Sequence, residues 1–307
     1  MNRSATILVL TALAAFVCGL ATAADASNGP WPKFYGQVGP DAAQTPDELR
    51  DMAAAGFHFG LFRDSVERSP AADETHMLFI DGEPEFEMDT ACRPELRATQ
   101  ACSGGTQQRA LARIRQYVTS PRNSDRENMI GYWILDDDPG GDIRPLLRSI
   151  HDIIAEQNIH SPFARPTICS FGAPKSLKNF SPQACDMVAI YLYSRKPVAG
   201  QAIDWSLSSR LSEMLAGLKA RGWDQAREPL IGMPQAFGNY TGQNYALPTA
   251  DELVEQATAY CKAGAVALLP YSWHDGFALP GSQLYNTPTL VSALQKAIRI
   301  CRSRYWH

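Results

Sequence analysis

The sequence has no run of lysine and arginine. Lys and Arg number 28 against 32 Asp and Glu, a net charge of −4, so the chain as a whole has no electrostatic reason to seek DNA or RNA. Gly36 and Gly39 are the glycines in and just after the first apolar run, and neither a GxGxxG nor a GxxxxGK motif occurs. Nucleotide binding therefore lacks its phosphate loop. No CxxC or CxxH pair is present, which removes the usual structural zinc spacings; no metal or cofactor is expected. Ser170 lies between Cys169 and Phe171 rather than in GxSxG, so the serine-hydrolase elbow is missing. Beyond residue 24 no stretch reaches the ~18 uninterrupted apolar residues of a membrane span. Linkers, charge blocks and low-complexity tracts are also lacking. What remains is an ordinary globular composition, 45% hydrophobic and 20% charged over 307 residues, which suits one large α/β barrel.

The start of the chain reads as an address. Arg3 supplies a positive charge, Ala5 to Ala15 an apolar run, and Ala21-Thr22-Ala23 a small-residue cleavage signal. Residues 1–23 are expected to be a signal peptide and 24–307 the mature barrel domain, secreted or periplasmic. With no basic stop-transfer flank, stable membrane insertion after cleavage is not expected. Cleavage leaves six cysteines, an even number that suits disulfides in an exported chain. Sequence proximity pairs Cys92 with Cys102 inside one polar insertion, then Cys169 with Cys185 and Cys261 with Cys301. For the last two pairs, buried thiols are the competing reading.

Strands and helices then alternate. Apolar runs at 34–38, 57–62, 76–80, 129–135, 166–171, 187–193, 230–237 and 265–273 make eight candidate strands. Most are separated by helical periodicity, as at 106–118, 143–154 and 207–221. Thr45-Pro46-Asp47-Glu48 and Thr249-Ala250-Asp251-Glu252 have the form of capping boxes that start helices. Continuous apolar strands between helices indicate a parallel sheet covered on both faces. The predicted fold class is therefore α/β, a single (β/α)8 TIM barrel, with a loop-rich, disulfide-containing insertion at 81–105 after strand 3. A doubly wound open sheet is the alternative.

In such barrels chemistry gathers where strands end. Those ends supply Arg63 and Asp64, Asp136, Asp137 and Asp138, Ser170 and Phe171, Tyr191 and Tyr193, Gln235 and Phe237, and Tyr271, Trp273, His274 and Asp275. Carboxylates and aromatics dominate. Aromatic faces stack on the C–H faces of sugar rings, and glycoside hydrolysis needs two carboxyl groups flanking the bond. Residues 130–139, Ile-Gly-Tyr-Trp-Ile-Leu-Asp-Asp-Asp-Pro, resemble the fourth-strand segment of secreted glycoside-hydrolase-type barrels, where Asn-Glu-Pro or Asp-Glu-Pro carries the acid/base. Residues 269–275 resemble the eighth strand of that superfamily, which often bears a sugar-platform Trp. The resemblance implies an exported carbohydrate-active barrel that hydrolyses glycosidic bonds in a polysaccharide or oligosaccharide. It departs at strand seven, where retaining members carry a Glu nucleophile and this chain has Met233-Pro234-Gln235.

An Asp-based, inverting acid/base mechanism is accordingly expected. Asp138 aligns with the proton donor, crowded by Asp136 and Asp137, which would raise its pKa. Asp275 or Asp64 would be the base. Arg63, Tyr191, Tyr193, Gln235, Tyr271, Trp273 and His274 would bind substrate, with Tyr191 and Tyr193 on one strand face. A helix-capping role for the Asp triplet is the plainer reading. Two functional alternatives stand beside hydrolysis: a non-catalytic carbohydrate-binding barrel, supported by the missing strand-seven acid, and a lyase or esterase on cell-wall polymers.

Overall fold

The computed structural model describes residues 30–62, 64–97, 102–136, 139–197, 202–240, 243–276 and 278–306. The expected signal peptide lies outside the described residues, as do Arg63, Asp137 and Asp138. Seven parallel strands follow one another in chain order around one sheet: β1 (Phe59–Phe62), β2 (Leu78–Asp81), β3 (Met129–Leu135), β4 (Thr167–Phe171), β5 (Met187–Tyr191), β6 (Leu230–Met233) and β7 (Ala265–Leu268). The outer layer holds α1 (Pro46–Ala54), α2 (Asp64–Glu67), α3 (Pro70–Glu74), α4 (Glu83–Arg97), α5 (Gly104–Thr119), α6 (Pro121–Ser124), α7 (Arg144–His160), α8 (Ser208–Lys219), α9 (Ala250–Lys262) and α10 (Pro288–Arg304).

The first expected strand is not a regular one. Pro32–Phe34 coil as a 3₁₀ turn. The chain then runs beside β7, with the Gly36 N–H donating to the Val266 carbonyl (2.8 Å), Leu268 to Gln37 (3.0 Å) and Gly39 to Leu268 (3.3 Å). Its other side presses on β1. A Cβ on Gly39 would stand 1.6 Å from the Phe59 carbonyl oxygen, so only glycine fits. Pro32 and Pro40 offer no N–H, which breaks the ladder at either end. This irregular stave joins β7 to β1 and makes the barrel eightfold in outline; counted with it, β2 is the third stave.

Strand alternation produces two cores. In β5, Met187 and Ala189 point into the barrel, where they join Phe34, Phe59, Ile80, Ile130, Ile168 and Ile231. Val188 and Ile190 point outward to the helices, among Leu147, Ile150, Leu211 and Met214. The strands are buried on both faces, which is why they read as unbroken apolar runs. Helix signals act locally. Thr249 and Glu252 form a complete capping box at α9. At α1 only half of the expected box forms: Thr45 accepts from the Glu48 N–H, but the Glu48 carboxylate turns to the Gln44 N–H (2.8 Å) and to His274.

The insertion after the third stave is not loop-rich as expected. It is helix α4, whose Met88 and Cys92 lie four residues apart and are both buried. A stripe that narrow, in a polar segment with an internal Pro94, leaves little periodicity to read. All three expected disulfides form, Cys92–Cys102, Cys169–Cys185 and Cys261–Cys301, with Cα–Cα separations of 5.1, 5.5 and 5.7 Å. Closing loops of 10, 16 and 40 residues stabilises a fold by roughly 3–4 kcal/mol per bridge in the chain-entropy model. Among the described residues, no helix is long and apolar enough to cross a membrane.

Candidate active site

The C-terminal ends of the staves enclose a cavity of about 180 Å³. β1 contributes Leu61, β3 Trp133, β5 Tyr191 and β6 Met233; the segments just after β3, β5, β6 and β7 add Asp136, Tyr193, Phe237 and Tyr271. Asp41, from the irregular first stave, and Tyr240, Gln243 and Tyr245, from the loop after β6, complete the wall. Five of these twelve residues are tyrosines.

Asp41 is held in place from behind. Its N–H donates to the Pro270 carbonyl (3.0 Å), and its own carbonyl accepts from the Trp273 N–H (2.7 Å). Its carboxyl is driven well above the usual value of 3.8, first by burial and then by the negative charges of Asp136 and Asp275; a backbone hydrogen bond from Ala42 pulls the other way. A buried carboxyl facing two like charges keeps its proton. Asp136 accepts a hydrogen bond from the Ser170 hydroxyl (2.7 Å), so the strand-four serine orients a carboxylate rather than serving as a nucleophile.

The aromatic side chains form one contiguous cluster. Tyr193 meets Tyr191 at 5.0 Å, Phe237 edge-on at 4.9 Å and Tyr271 at 5.9 Å; Phe237 meets Tyr245 and Tyr271 at 5.1 and 5.3 Å. Burial, then Asp136, raises the pKa of Tyr193, so it stays a neutral phenol. Asp275 sits behind the wall. Its carboxylate accepts from the phenols of both Tyr240 and Tyr271, which also contact each other at 3.0 Å, and its N–H donates to Gln283 (2.7 Å). Burial and Asp275 together push the Tyr240 pKa upward.

The expected site residues therefore divide. Tyr191, Tyr193 and Tyr271 line the cavity, and Asp275 reaches it through two phenols. Arg63, Asp137 and Asp138 lie outside the described residues. Asp64 begins the short helix α2 rather than a loop. Three placements depart from expectation. Gln235 is buried and committed to backbone: its amide N–H₂ donates to Ser194 (3.2 Å), Phe237 (3.1 Å) and Ala246 (2.6 Å), and its carbonyl accepts from the Ser194 N–H. With its hydrogen-bonding capacity spent, it ties together the loops that follow β5 and β6. Trp273 packs in the outer core, edge-on to Phe57 at 6.4 Å. His274 donates or accepts at Glu48 (2.7 Å) and stacks on Tyr285, away from the cavity. β7 ends at Leu268, so the alternation that would have turned Trp273 inward with Tyr271 no longer applies.

Asp41, Tyr240 and Tyr245 were missed. A signal for Asp41 was present: Gly39-Pro40-Asp41 follows the first apolar run as Asp136 follows β3. Among the described residues no group of three or more His, Cys, Asp and Glu side chains is arranged to hold a metal ion. Chemically, the cavity offers a buried carboxyl whose pKa is raised, Asp41, a second carboxyl, Asp136, and flat apolar faces around both.

At the level of sequence, no protein-family model and no curated protein matches the chain. Solved structures do. An endoglucanase, Cel5A, from the hyperthermophile Thermotoga maritima superposes with a TM-score of 0.55 at 14% identity, over 84% of this chain and 97% of that one. A putative alpha-L-fucosidase from Bacteroides thetaiotaomicron gives 0.53 at 12%, over 98% and 100%. A Bacteroidetes-affiliated GH5 cellulase gives 0.53 at 12%, over 89% and 96%. The chain thus shares the (β/α)8 barrel fold of these solved structures.

Proposed function

We propose that this protein is an exported hydrolase that cleaves glycosidic bonds in a polysaccharide or oligosaccharide. One observation carries the reading: a carboxyl, Asp41, whose pKa is raised by burial and then by Asp136 and Asp275, lies inside a cavity walled by tyrosines. Such a group holds its proton to higher pH than an ordinary carboxyl, as a general acid must. It gives its proton to the leaving oxygen while a charged carboxylate takes one from the attacking water, as inversion requires. Asp136, which lines the cavity, is assigned the base. Asp275 orients Tyr240 and Tyr271 instead of acting as the base the sequence suggested. The donor role suggested for Asp138 passes in this reading to Asp41. The glycoside-hydrolase neighbours and the three disulfides support the substrate class and an oxidising destination.

A non-catalytic binding barrel is the second reading, favoured by the absence of a carboxylate where β6 ends in Met233-Pro234-Gln235. Product analysis by mass spectrometry separates the two. Residues 24–307, with Asp41→Asn and Asp138→Asn variants, are incubated with plant, bacterial and fungal polysaccharides. Hydrolysis lost at least a hundredfold in Asp41→Asn supports the assignment. Loss confined to Asp138→Asn returns the donor to Asp138. Binding without product, unchanged in both variants, establishes the binding barrel.

A further inference from the structure

Among the described residues, the cavity at the mouth carries charge of one sign. Asp41 and Asp136 line it, and no Lys, Arg or His does. The charged groups that act on the wall agree. Asp41 feels Asp136 and Asp275, Tyr193 feels Asp136 and Asp41, and Tyr240 feels Asp275 and Asp41; every one of them resists further negative charge. His274 turns away to Glu48, and Arg210 is held by the Tyr193 carbonyl and the Ser194 hydroxyl (3.0 Å each). In a site largely closed to water, such a field attracts cations and repels anions far more strongly than it would in solvent.

The aromatic walls act in the same direction. Their planes cross near right angles: Tyr193 with Tyr245 at 89°, Tyr240 with Tyr245 at 90°, and Phe237 with Tyr271 at 86°. Stacking on a sugar ring needs one flat face. Walls at right angles turn their faces in several directions instead, and each face carries the negative pole of its ring, which draws a cation to within about 6 Å of the centroid. Tyr245 already holds one in this way, the exposed Arg195 guanidinium lying over its ring at 5.8 Å. Carboxyl and phenol oxygens stand among the rings and accept hydrogen bonds. That suits an ammonium group with N–H donors on a hydroxylated frame better than a quaternary ammonium, which has none to give. At about 180 Å³ the space is below the roughly 300–1,000 Å³ of sites that take larger ligands, so added substituents are penalised.

Resting on the hydrolase reading, we propose that the sugar held in this cavity carries a free amine: the substrate is a glycan containing amino sugars that are not N-acetylated, and the ammonium group sits between the tyrosine faces and the acids. N-acetylation would remove the charge and add bulk. A uronic acid would bring a third carboxylate against Asp41 and Asp136. A neutral hexose would fit but forfeit the attraction. The ammonium charge offsets the repulsion among the acids and leaves Asp41 buried, and burial is the larger cause of its raised pKa.

The test uses residues 24–307 and probes matched except at one group: tetrasaccharides of glucosamine, N-acetylglucosamine, glucose and galacturonic acid, and p-nitrophenyl glucosides and galactosides of both anomers with amine, acetamide or hydroxyl at carbon 2. Within the matched set that is cleaved, kcat/KM for the amine is expected to exceed that for the hydroxyl and the acetamide at least tenfold, with the uronide uncleaved. Tyr245→Leu, which removes a ring face, should cut the amine-to-hydroxyl ratio at least fivefold. Tyr245→Phe, which keeps the face, should hold the ratio within about twofold. Equal or better cleavage of the hydroxyl, acetamide or uronide probe would overturn the proposal while leaving hydrolysis intact. If no probe and no polysaccharide is hydrolysed, the hydrolase reading fails, and calorimetric titration of the tetrasaccharides and of choline decides the recognition. Affinity for the glucosamine chain above the others, weakened in Tyr245→Leu, upholds it. Equal affinity for all four chains, or tighter binding of choline than of the glucosamine chain, ends it.

Discussion

The two ends of the barrel differ in a way that volume alone would misjudge. The larger cavity, about 830 Å³, is at the N-terminal base, lined by Lys33, Arg68, His76, Arg122, Arg126, Glu127 and others. The mouth holds about 180 Å³. At the base, charges are engaged with scaffold groups. Lys33 donates to the Glu127 carbonyl (2.9 Å), Arg68 to Asn123 (2.9 Å), and Arg126 lies over the Phe79 ring at 4.4 Å while donating to the Glu67 carbonyl. Beneath them the buried Arg165 is held by the carbonyls of Met129, Ser124 and Arg126. At the mouth, burial and then the neighbouring carboxyls of Asp136 and Asp275 raise the pKa of Asp41. Hydrogen-bonded cations hold a fold together, whereas crowded carboxylates cost stability and persist where they are used.

That contrast can be broken by mutation. The largest effect belongs to Asp41→Asn, expected to lower kcat/KM for a cleavable glycan by about 10²–10⁴-fold, the usual worth of a general acid. The same variant should not be less stable. A carboxyl whose folded pKa is raised contributes its stability below the usual 3.8 and loses it as pH rises toward the folded value. The Tm difference between Asp41→Asn and wild type should therefore move in favour of the variant from about pH 4 upward, measured by calorimetry at several pH values. A flat difference would mean the carboxyl is not held protonated.

Arg165→Ala tests the base. It strands two buried carbonyls and one half-buried one and opens a void, for an expected loss of about 3–5 kcal/mol by denaturant titration, with kcat per folded molecule little changed. Tyr240→Phe is intermediate, since it removes one of the two phenols on Asp275. A tenfold fall in kcat/KM with Tm within about 3 °C is expected, and an unchanged rate would detach Asp275 from the site. The smallest effect belongs to Arg122→Ala, an exposed residue of the basal cavity, which should leave rate and Tm unmoved. A large loss of activity there would place the chemistry at the wrong end.

The staves were legible because each is buried on both faces and so spells an apolar run. The disulfides followed from sequence proximity. The mouth was legible in part. Tyr191 and Tyr193 share a face by alternation and do meet in the cavity. Alternation fails where ladders end, however, and β6 and β7 stop at Met233 and Leu268, before Gln235, Trp273 and His274. Tyr240 and Tyr245 belong to a loop that folds back on itself, the Asn239 N–H donating to the Tyr245 carbonyl (3.1 Å), a contact no local spacing announces. Asp41 was hidden by the irregularity of its stave: the readable apolar run stops at Val38, three residues early.

That irregular stave also sets an order of events during synthesis. Its partners lie near the other end of the chain; the Gln44 amide, for one, donates to the His274 carbonyl across 230 residues. Until that distant segment has been made, the first stave has no neighbour on its β7 side. Asp41 meets no Pro270, no Trp273 and no Asp275, so its carboxyl remains an ordinary solvated acid. In the hydrolase reading, the proposed acid is completed only by closure of the ring, and a nascent or truncated chain carries Asp41 and Asp136 without the burial that tunes them.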